Sequence, residues 1–326
     1  MLETNRIIHG DCLDVMRTLP DRCVDLIIDS PPYCKARTYG IGFALDGQDW
    51  VDWMAERTVE CLRVCKGLVA TVVEGQTKNF RYNAAPVLLM ADLHRRGIHL
   101  RKPPVFHRVG IPGSGGPDWL RNDYEYVICC TNGGKLPWSD NTACGHPPRW
   151  APGGAMSNRT QDGKRKNARG YSGNQWGKNG SPRGMGNKNA DGTVDGKPRP
   201  SHKRLERGNP DGSPASQPVL ANPGNTIREK YTADEVAELL AEASDVTHHL
   251  VGGGVMGSPL SSLNEAPFPE TLAEFFIKSF CPPGGIVLDR FCGSGTTLAV
   301  AQRLGRQYIG IDVRESQVEL SGRRVG

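Results

Sequence analysis

Ile286-Val287-Leu288-Asp289-Arg290-Phe291-Cys292-Gly293-Ser294-Gly295-Thr296 reads as a short apolar strand, a tight glycine loop and the first residue of a helix. A brief apolar run closed by an acid and then by glycines suits a strand buried in a parallel sheet. The glycines let the backbone pass close to a ligand at the carboxyl edge of that sheet. The helix runs from Thr296 to Leu304 and stops at Gly305, and Gln307–Ile311 forms the next strand, with Asp312 at its tip. No Lys-Ser/Thr pair follows the glycines, so this is not a phosphate-binding P-loop, and the third spaced glycine of the dinucleotide fingerprint is missing. Just upstream, Pro267-Phe268-Pro269 opens a helix over Glu270–Phe280, and a last helix extends to about Arg323.

The first 130 residues alternate in the same way. Arg6–His9 and Val24–Ile28 read as strands, the second ending at Asp29 before the Pro31-Pro32 breaker. A helix over Asp49–Val64, ended by Gly67, leads into the strand Leu68–Val73. Pro86–Arg95 reads as a helix stopped by Gly97, and Tyr124–Cys130 as a further strand. Strands alternating with helices predict an α/β fold, a Rossmann-like doubly wound sheet. Periodicity is lost from Thr131 to Asn225 and returns at Thr232-Ala233-Asp234-Glu235, a capping-box start to an acidic helix through Ala243. The expected organisation is 1–130 and 231–326 as two halves of one domain, with 131–230 as an insert.

Composition sharpens this division. The 326 residues include 40 Gly and 24 Pro, and the net charge is +5. Residues 131–220 hold 15 basic and 6 acidic side chains, a net +9, so the remainder carries −4. A basic, Gly/Pro-rich, loop-like insert in a mildly acidic body suggests a polyanionic partner. Apolar runs stop far short of the ~18 residues a membrane span needs, and Met1–Arg6 lacks a secretory pattern. The expected location is therefore cytoplasmic, with no membrane partner. Ten cysteines without a Cys-x-x-Cys pair fit a reduced set, and Cys144, His146, His248 and His249 lack the spacing of a metal site. No metal is expected.

Asp29-Ser30-Pro31-Pro32-Tyr33 is the second informative loop. Two prolines fix the backbone and donate no hydrogen bond, so the carbonyls around them are held rigidly outward. Ser30 adds an acceptor and Tyr33 a flat aromatic face, which together suit a planar group bearing an NH2. Asp289 suits a ligand carrying a cation, and Asp312 is placed to accept from ribose hydroxyls.

Taken together, these two loops resemble the amino-group DNA methyltransferases, which use S-adenosylmethionine (SAM). Three further segments carry the resemblance: His9-Gly10-Asp11-Cys12 ahead of Val24–Ile27, Ala266-Pro267-Phe268-Pro269-Glu270, and Tyr308-Ile309-Gly310-Ile311-Asp312. The proline loop comes first and the glycine loop near the C-terminus, an order similar to the permuted β group of the family. The resemblance covers about 1–130 and 260–326. Arg290 departs from it, because the family usually has Pro there; an Arg loses backbone rigidity and puts a cation near a cationic cofactor.

The resemblance implies roles. Tyr33 stacks on a nucleotide swung out of the duplex, while Ser30 Oγ and the Pro31 carbonyl accept from its amino group. Pro32 stiffens the loop, and Asp29 takes up the released proton or caps the strand. Asp289 meets the methionine amino group of SAM. Phe291, Gly293, Ser294, Gly295 and Thr296 form the cofactor loop and its floor. Asp312 holds the ribose, Asp11 contacts the adenine, and Phe268 packs on the cofactor. The basic insert is the candidate for target recognition in double-stranded DNA. A homodimer and a separate restriction endonuclease chain are the protein partners compatible with this reading. In the family, Ser before the two prolines is associated with cytosine N4, and Asp or Asn mainly with adenine N6, so Ser30 favours cytosine. Adenine N6 is the alternative, and a catalytically inactive DNA-binding homologue is a second one. RNA and protein methyltransferases with a similar proline loop usually place the cofactor loop first, opposite to the order here.

Overall fold

The computed structural model describes residues 2–35, 39–107, 118, 120, 124–145, 226–228, 260 and 269–326. Phe268, the helix expected over 232–243 and most of the expected insert lie outside them. In chain order the elements are β1 (Arg6–His9), α1 (Cys12–Thr18), β2 (Val24–Asp29), α2 (Gly47–Val64), β3 (Cys65–Val73), β4 (Thr77–Lys78), β5 (Arg81–Tyr82), α3 (Ala85–Arg95), β6 (His99–Leu100), β7 (Val105–His107), β8 (Tyr124–Thr131) and β9 (Thr226–Arg228). Then follow α4 (Glu270–Phe280), β10 (Ile286–Asp289), α5 (Thr296–Arg303), β11 (Gln307–Asp312) and α6 (Glu315–Val325).

The main sheet runs β1-β11-β10-β2-β3-β8-β7-β9, with β6 also on β8. Strands β1, β11, β10, β2 and β3 are mutually parallel, and β8 is antiparallel to β3. From β10 the chain moves through α5 to β11 on one side, and from β2 through α2 to β3 on the other. The winding therefore reverses between β10 and β2, and a doubly wound sheet opens a crevice at the carboxyl ends of the strands where it reverses.

Both faces of the sheet are covered, which is why its central strands are mostly apolar. On one face, Met16 of α1, Trp50 and Met54 of α2 and Leu89 and Leu93 of α3 pack on Ile27, Val69 and Ile309. On the other, Phe276 and Ile277 of α4 and Leu298 of α5 pack on Leu26, Ile28, Ala70 and Val72. No helix of the described residues is long and apolar enough to cross a membrane.

Several elements differ from the sequence expectation. Gly67 does not end α2. The helix stops at Val64, and Gly67 lies inside β3, where a Cβ would sit 2.0 Å from the Asp25 carbonyl. Pairing of β2 with β3 shifts register between Val24 and Leu26, so this glycine permits a close backbone approach at a bulge. Helix α1 was not expected: seven residues are too few for periodicity to declare, and Asp11 caps it by accepting from the Leu13 amide at 2.8 Å. Strand β9 falls inside the expected insert yet pairs in parallel with β7.

Candidate active site

The crevice at the reversal is a cavity of about 200 Å³. Four parallel strands deliver its walls at their carboxyl ends: Asp11 after β1, Ser30 to Pro32 after β2, Asp289 to Gly293 after β10, and Asp312 to Arg314 after β11. Two sequence segments about 260 residues apart are thus brought to one place by strand pairing.

The proline loop is anchored from below. Trp50, fully buried on α2, donates its indole N–H to the Pro32 carbonyl at 2.9 Å. Among the described residues nothing donates to the Pro31 carbonyl, which leaves it as an acceptor at the cleft. The Ser30 hydroxyl donates to Tyr33 Oη at 3.3 Å, and Tyr33 Oη donates to Glu125 Oε2 at 3.2 Å. Glu125 is a buried carboxylate on β8. With its hydrogen directed to Tyr33, Ser30 Oγ presents lone pairs to the cleft. The Tyr33 amide donates to Tyr39 Oη at 3.0 Å, which fixes the loop exit.

The glycine loop is tied to the neighbouring strand. Gly295 caps α5 in the left-handed region at φ 77°, and a Cβ there would meet Ser321 at 3.1 Å. The Gly293 amide donates to Asp312 Oδ2 at 2.9 Å, and the Arg314 amide donates to Asp312 Oδ1 at 2.9 Å. Asp312 therefore shapes the loop and keeps lone pairs for a further donor. Ser294 and Gly295 do not line the cleft; Ser294 faces Arg324 of α6, whose Nη1 lies 3.4 Å from its Oγ. Asp289 is buried and accepts from the Phe291 amide at 3.0 Å. Burial, reinforced by the Asp29 charge, pushes its carboxyl up to about 7.

Arg290 and Asp29 join the two loops. Arg290 Nε lies 2.6 Å from Asp29 Oδ2, both side chains are fully buried, and Arg290 Nη2 also donates to Thr71 on β3 at 2.9 Å. The cation expected to trouble a cationic cofactor is thus neutralised beneath the cleft. The same pairing withdraws the Asp29 carboxylate from solvent.

The described residues suit a flat, cationic ligand. Asp289 is a buried carboxylate with no ion pair among the described residues, and Asp312 stands beside it. Phe43, Trp53 and Phe291 form a row with ring centroids 5.2 and 5.7 Å apart. Arg57 lies 4.1 Å over the Trp53 ring and holds both oxygens of Asp11 at 3.0 and 2.8 Å. SAM carries two cations, a ribose and a flat base, and fits this donor set. Sequence reasoning missed Trp50, Phe43, Arg57 and Glu125. Trp50 and Trp53 sit three apart on α2, the one signal that this helix feeds the cleft.

A family model described as DNA methylase matches residues 24–323. The chain belongs to this family of N6/N4 DNA methyltransferases. Family members take their methyl group from SAM, which is the cofactor of this enzyme too. Over 99% of the chain and 83% of the relative, it is 24% identical to the DNA adenine methyltransferase YhdJ of Escherichia coli. It is 23% identical to the type II methyltransferase M.SfiI of Streptomyces fimbriatus, over 94% and 87% of the two chains. The fold is that of the PvuII cytosine-N4-specific DNA methyltransferase, at a TM-score of 0.58 and 17% identity over 99% and 87% of the two chains. A putative DNA modification methylase of Thermus thermophilus, solved with SAM, is similar at a TM-score of 0.50 and 16% identity over 98% and 95% of the two chains.

Proposed function

We propose that this DNA methyltransferase methylates N4 of a cytosine swung out of duplex DNA. The observation that carries the choice of base is Ser30, at the position before the two prolines where the family places Ser for cytosine N4. Its hydroxyl hydrogen is engaged by Tyr33, so it meets an amino group as an acceptor only. The adenine-specific relative YhdJ supports adenine N6 as the second reading.

When bound, SAM supplies an electrophilic methyl group on a cationic sulfur. Asp289 would hold its ammonium, Asp312 its ribose hydroxyls, and Phe291 and Trp53 would pack on it. Ser30 Oγ and the Pro31 carbonyl accept the two amino hydrogens of the flipped base. Those bonds draw the nitrogen toward tetrahedral geometry and keep its lone pair out of the ring, so it can attack directly. Tyr33 supports the base by its ring. The proton shed after alkylation has a hydrogen-bonded route from Ser30 through Tyr33 Oη to the Glu125 carboxylate. Asp29, engaged by Arg290, is a counterion in this scheme rather than the proton acceptor.

The basic insert serves as the DNA-reading part, and the type II relatives support a restriction-modification setting with the nuclease on a separate chain. The test is transfer of label from tritiated SAM to mixed-sequence DNA by the wild type and by Ser30→Ala. Loss of transfer with SAM affinity retained supports the assignment; near-normal turnover by Ser30→Ala overturns it.

A further inference from the structure

Just beyond β3 the chain makes a small hairpin that the catalytic scheme leaves unused. Strands β4 and β5 pair Thr77 with Tyr82 and Lys78 with Arg81, leaving Asn79 and Phe80 as a two-residue turn. Both turn residues have positive φ, 51° and 60°. Such a turn is normally Asn-Gly, because only glycine takes the second position without strain. A phenylalanine there is a conformational outlier, and outliers of this kind cluster at functional sites. The Phe80 ring gains nothing from the fold in return: it is 79% exposed at the very tip. Lys78 and Arg81 flank it, both exposed, and neither makes an ion pair among the described residues.

The base of the hairpin is rigid and adjoins the proline loop. Asn83 donates its amide N–H to the Gln76 carbonyl at 2.8 Å, closing the ends. Gly75 allows this, since a Cβ there would sit 2.0 Å from the Asn83 carbonyl and 2.7 Å from the Tyr82 ring. Asn83 Nδ2 donates to Cys34 Sγ at 3.1 Å, and Cys34 directly follows Tyr33. An exposed aromatic on a braced, basic turn is thereby held beside the loop that receives the base.

We infer that Phe80 is a wedge that enters the DNA stack at the place vacated by the target nucleotide, with Lys78 and Arg81 on the flanking phosphates. A flipped nucleotide leaves an unstacked gap, and apolar side chains inserted between bases stabilise such distorted duplexes. The cations suit the backbone on either side of that gap. This rests on the base-flipping reading above and adds the residue that holds the duplex open.

The test uses the full chain and two duplexes carrying its methylation site, mapped first from DNA modified by the wild type. In one duplex the target base is paired; in the other its partner is replaced by an abasic site, so that flipping needs little help. Phe80→Gly removes the ring and relaxes the turn, so its folding is not in question; Phe80→Leu keeps an apolar wedge. Expected for Phe80→Gly is a loss of about tenfold or more in kcat/KM on the paired duplex. Its rate on the abasic duplex and its SAM affinity stay within about twofold of wild type, and Phe80→Leu recovers most of the loss. Equal activity of Phe80→Gly and wild type on the paired duplex overturns the wedge, as does an equal loss on both duplexes. If the wild type modifies no DNA, so that no site can be mapped, the underlying reading is overturned, and the wedge with it.

Discussion

With Asp289 as the proposed partner of the SAM ammonium, the affinity for SAM should depend on pH in a way that can be worked out beforehand. Its carboxyl is pushed up to about 7 by burial, with the Asp29 charge adding to the effect. Holding an ammonium requires the ionised form, so the apparent Kd scales as one plus the ratio of protonated to ionised carboxyl. With a value near 7, that factor is about 1.3 at pH 7.5 and about 11 at pH 6.0; with roughly 40% of a free α-amino group already deprotonated at pH 7.5, the affinity is about fivefold weaker at the lower pH. The range stops at 7.5 because a free α-amino group deprotonates near ~7.7. The assay is calorimetric titration of SAM across this window for the wild type and Asp289→Asn. The variant should bind about 10–100-fold more weakly at pH 7.5, having lost a charge-assisted hydrogen bond, and its affinity should be flat with pH. Stability runs with the opposite sign. Because the folded value is raised, the stabilising contribution of the protonated form is full below about pH 4 and is lost as pH rises to about 7. Ligand-free protein therefore gains from acidification through this group while its SAM affinity falls. A wild-type affinity that does not change between pH 7.5 and 6.0, or a pH dependence that survives in Asp289→Asn, refutes the reasoning.

Other consequences of the site are equally open to measurement. Arg290→Met leaves the Asp29 carboxylate buried without its partner, and urea unfolding should show a loss of about 3–5 kcal/mol. Asp29→Asn/Arg290→Met, which removes both charges, should recover more than half of that. Glu125→Gln should slow single-turnover methyl transfer about 100-fold with SAM affinity unchanged. Tyr33→Phe combined with it should cost little more, since both break one hydrogen-bonded chain. Finally, the logarithm of the DNA-binding constant should fall linearly with the logarithm of salt concentration, with a slope near about −1 for each phosphate contacted by the basic insert.

The sequence declared much of this structure because its central strands are buried on both faces. Val24 to Asp29, Leu68 to Val73 and Ile286 to Asp289 are predominantly apolar runs for that reason, and each lies in a strand. Loops that end such strands carry their own punctuation, so Ser30-Pro31-Pro32 and Asp289 to Gly293 were legible and lie together in the cleft. Elements stabilised by distant partners were not legible. Gly67 resembles a helix stop until the Asp25 carbonyl is seen against it, and α1 is held by a cap and packing rather than by length. Ser294 and Gly295 belong to the readable motif, yet neither lines the cleft, and the Ser294 hydroxyl faces Arg324 of α6. Glu125 and Arg57 were hidden because each reaches the cleft only through a residue distant in sequence, Tyr33 and Asp11. Arg290 was legible as a departure but not as a solution, since its neutralising partner Asp29 lies 261 positions away.

The central claim is that Ser30 and its loop deliver the amino group of a cytosine. Incubating the enzyme with labelled SAM and mixed-sequence DNA, digesting the DNA to nucleosides and identifying the labelled one by mass tests it directly. The account predicts N4-methylcytosine; N6-methyladenine as the sole product contradicts the choice of base, and the absence of label from DNA contradicts the account as a whole.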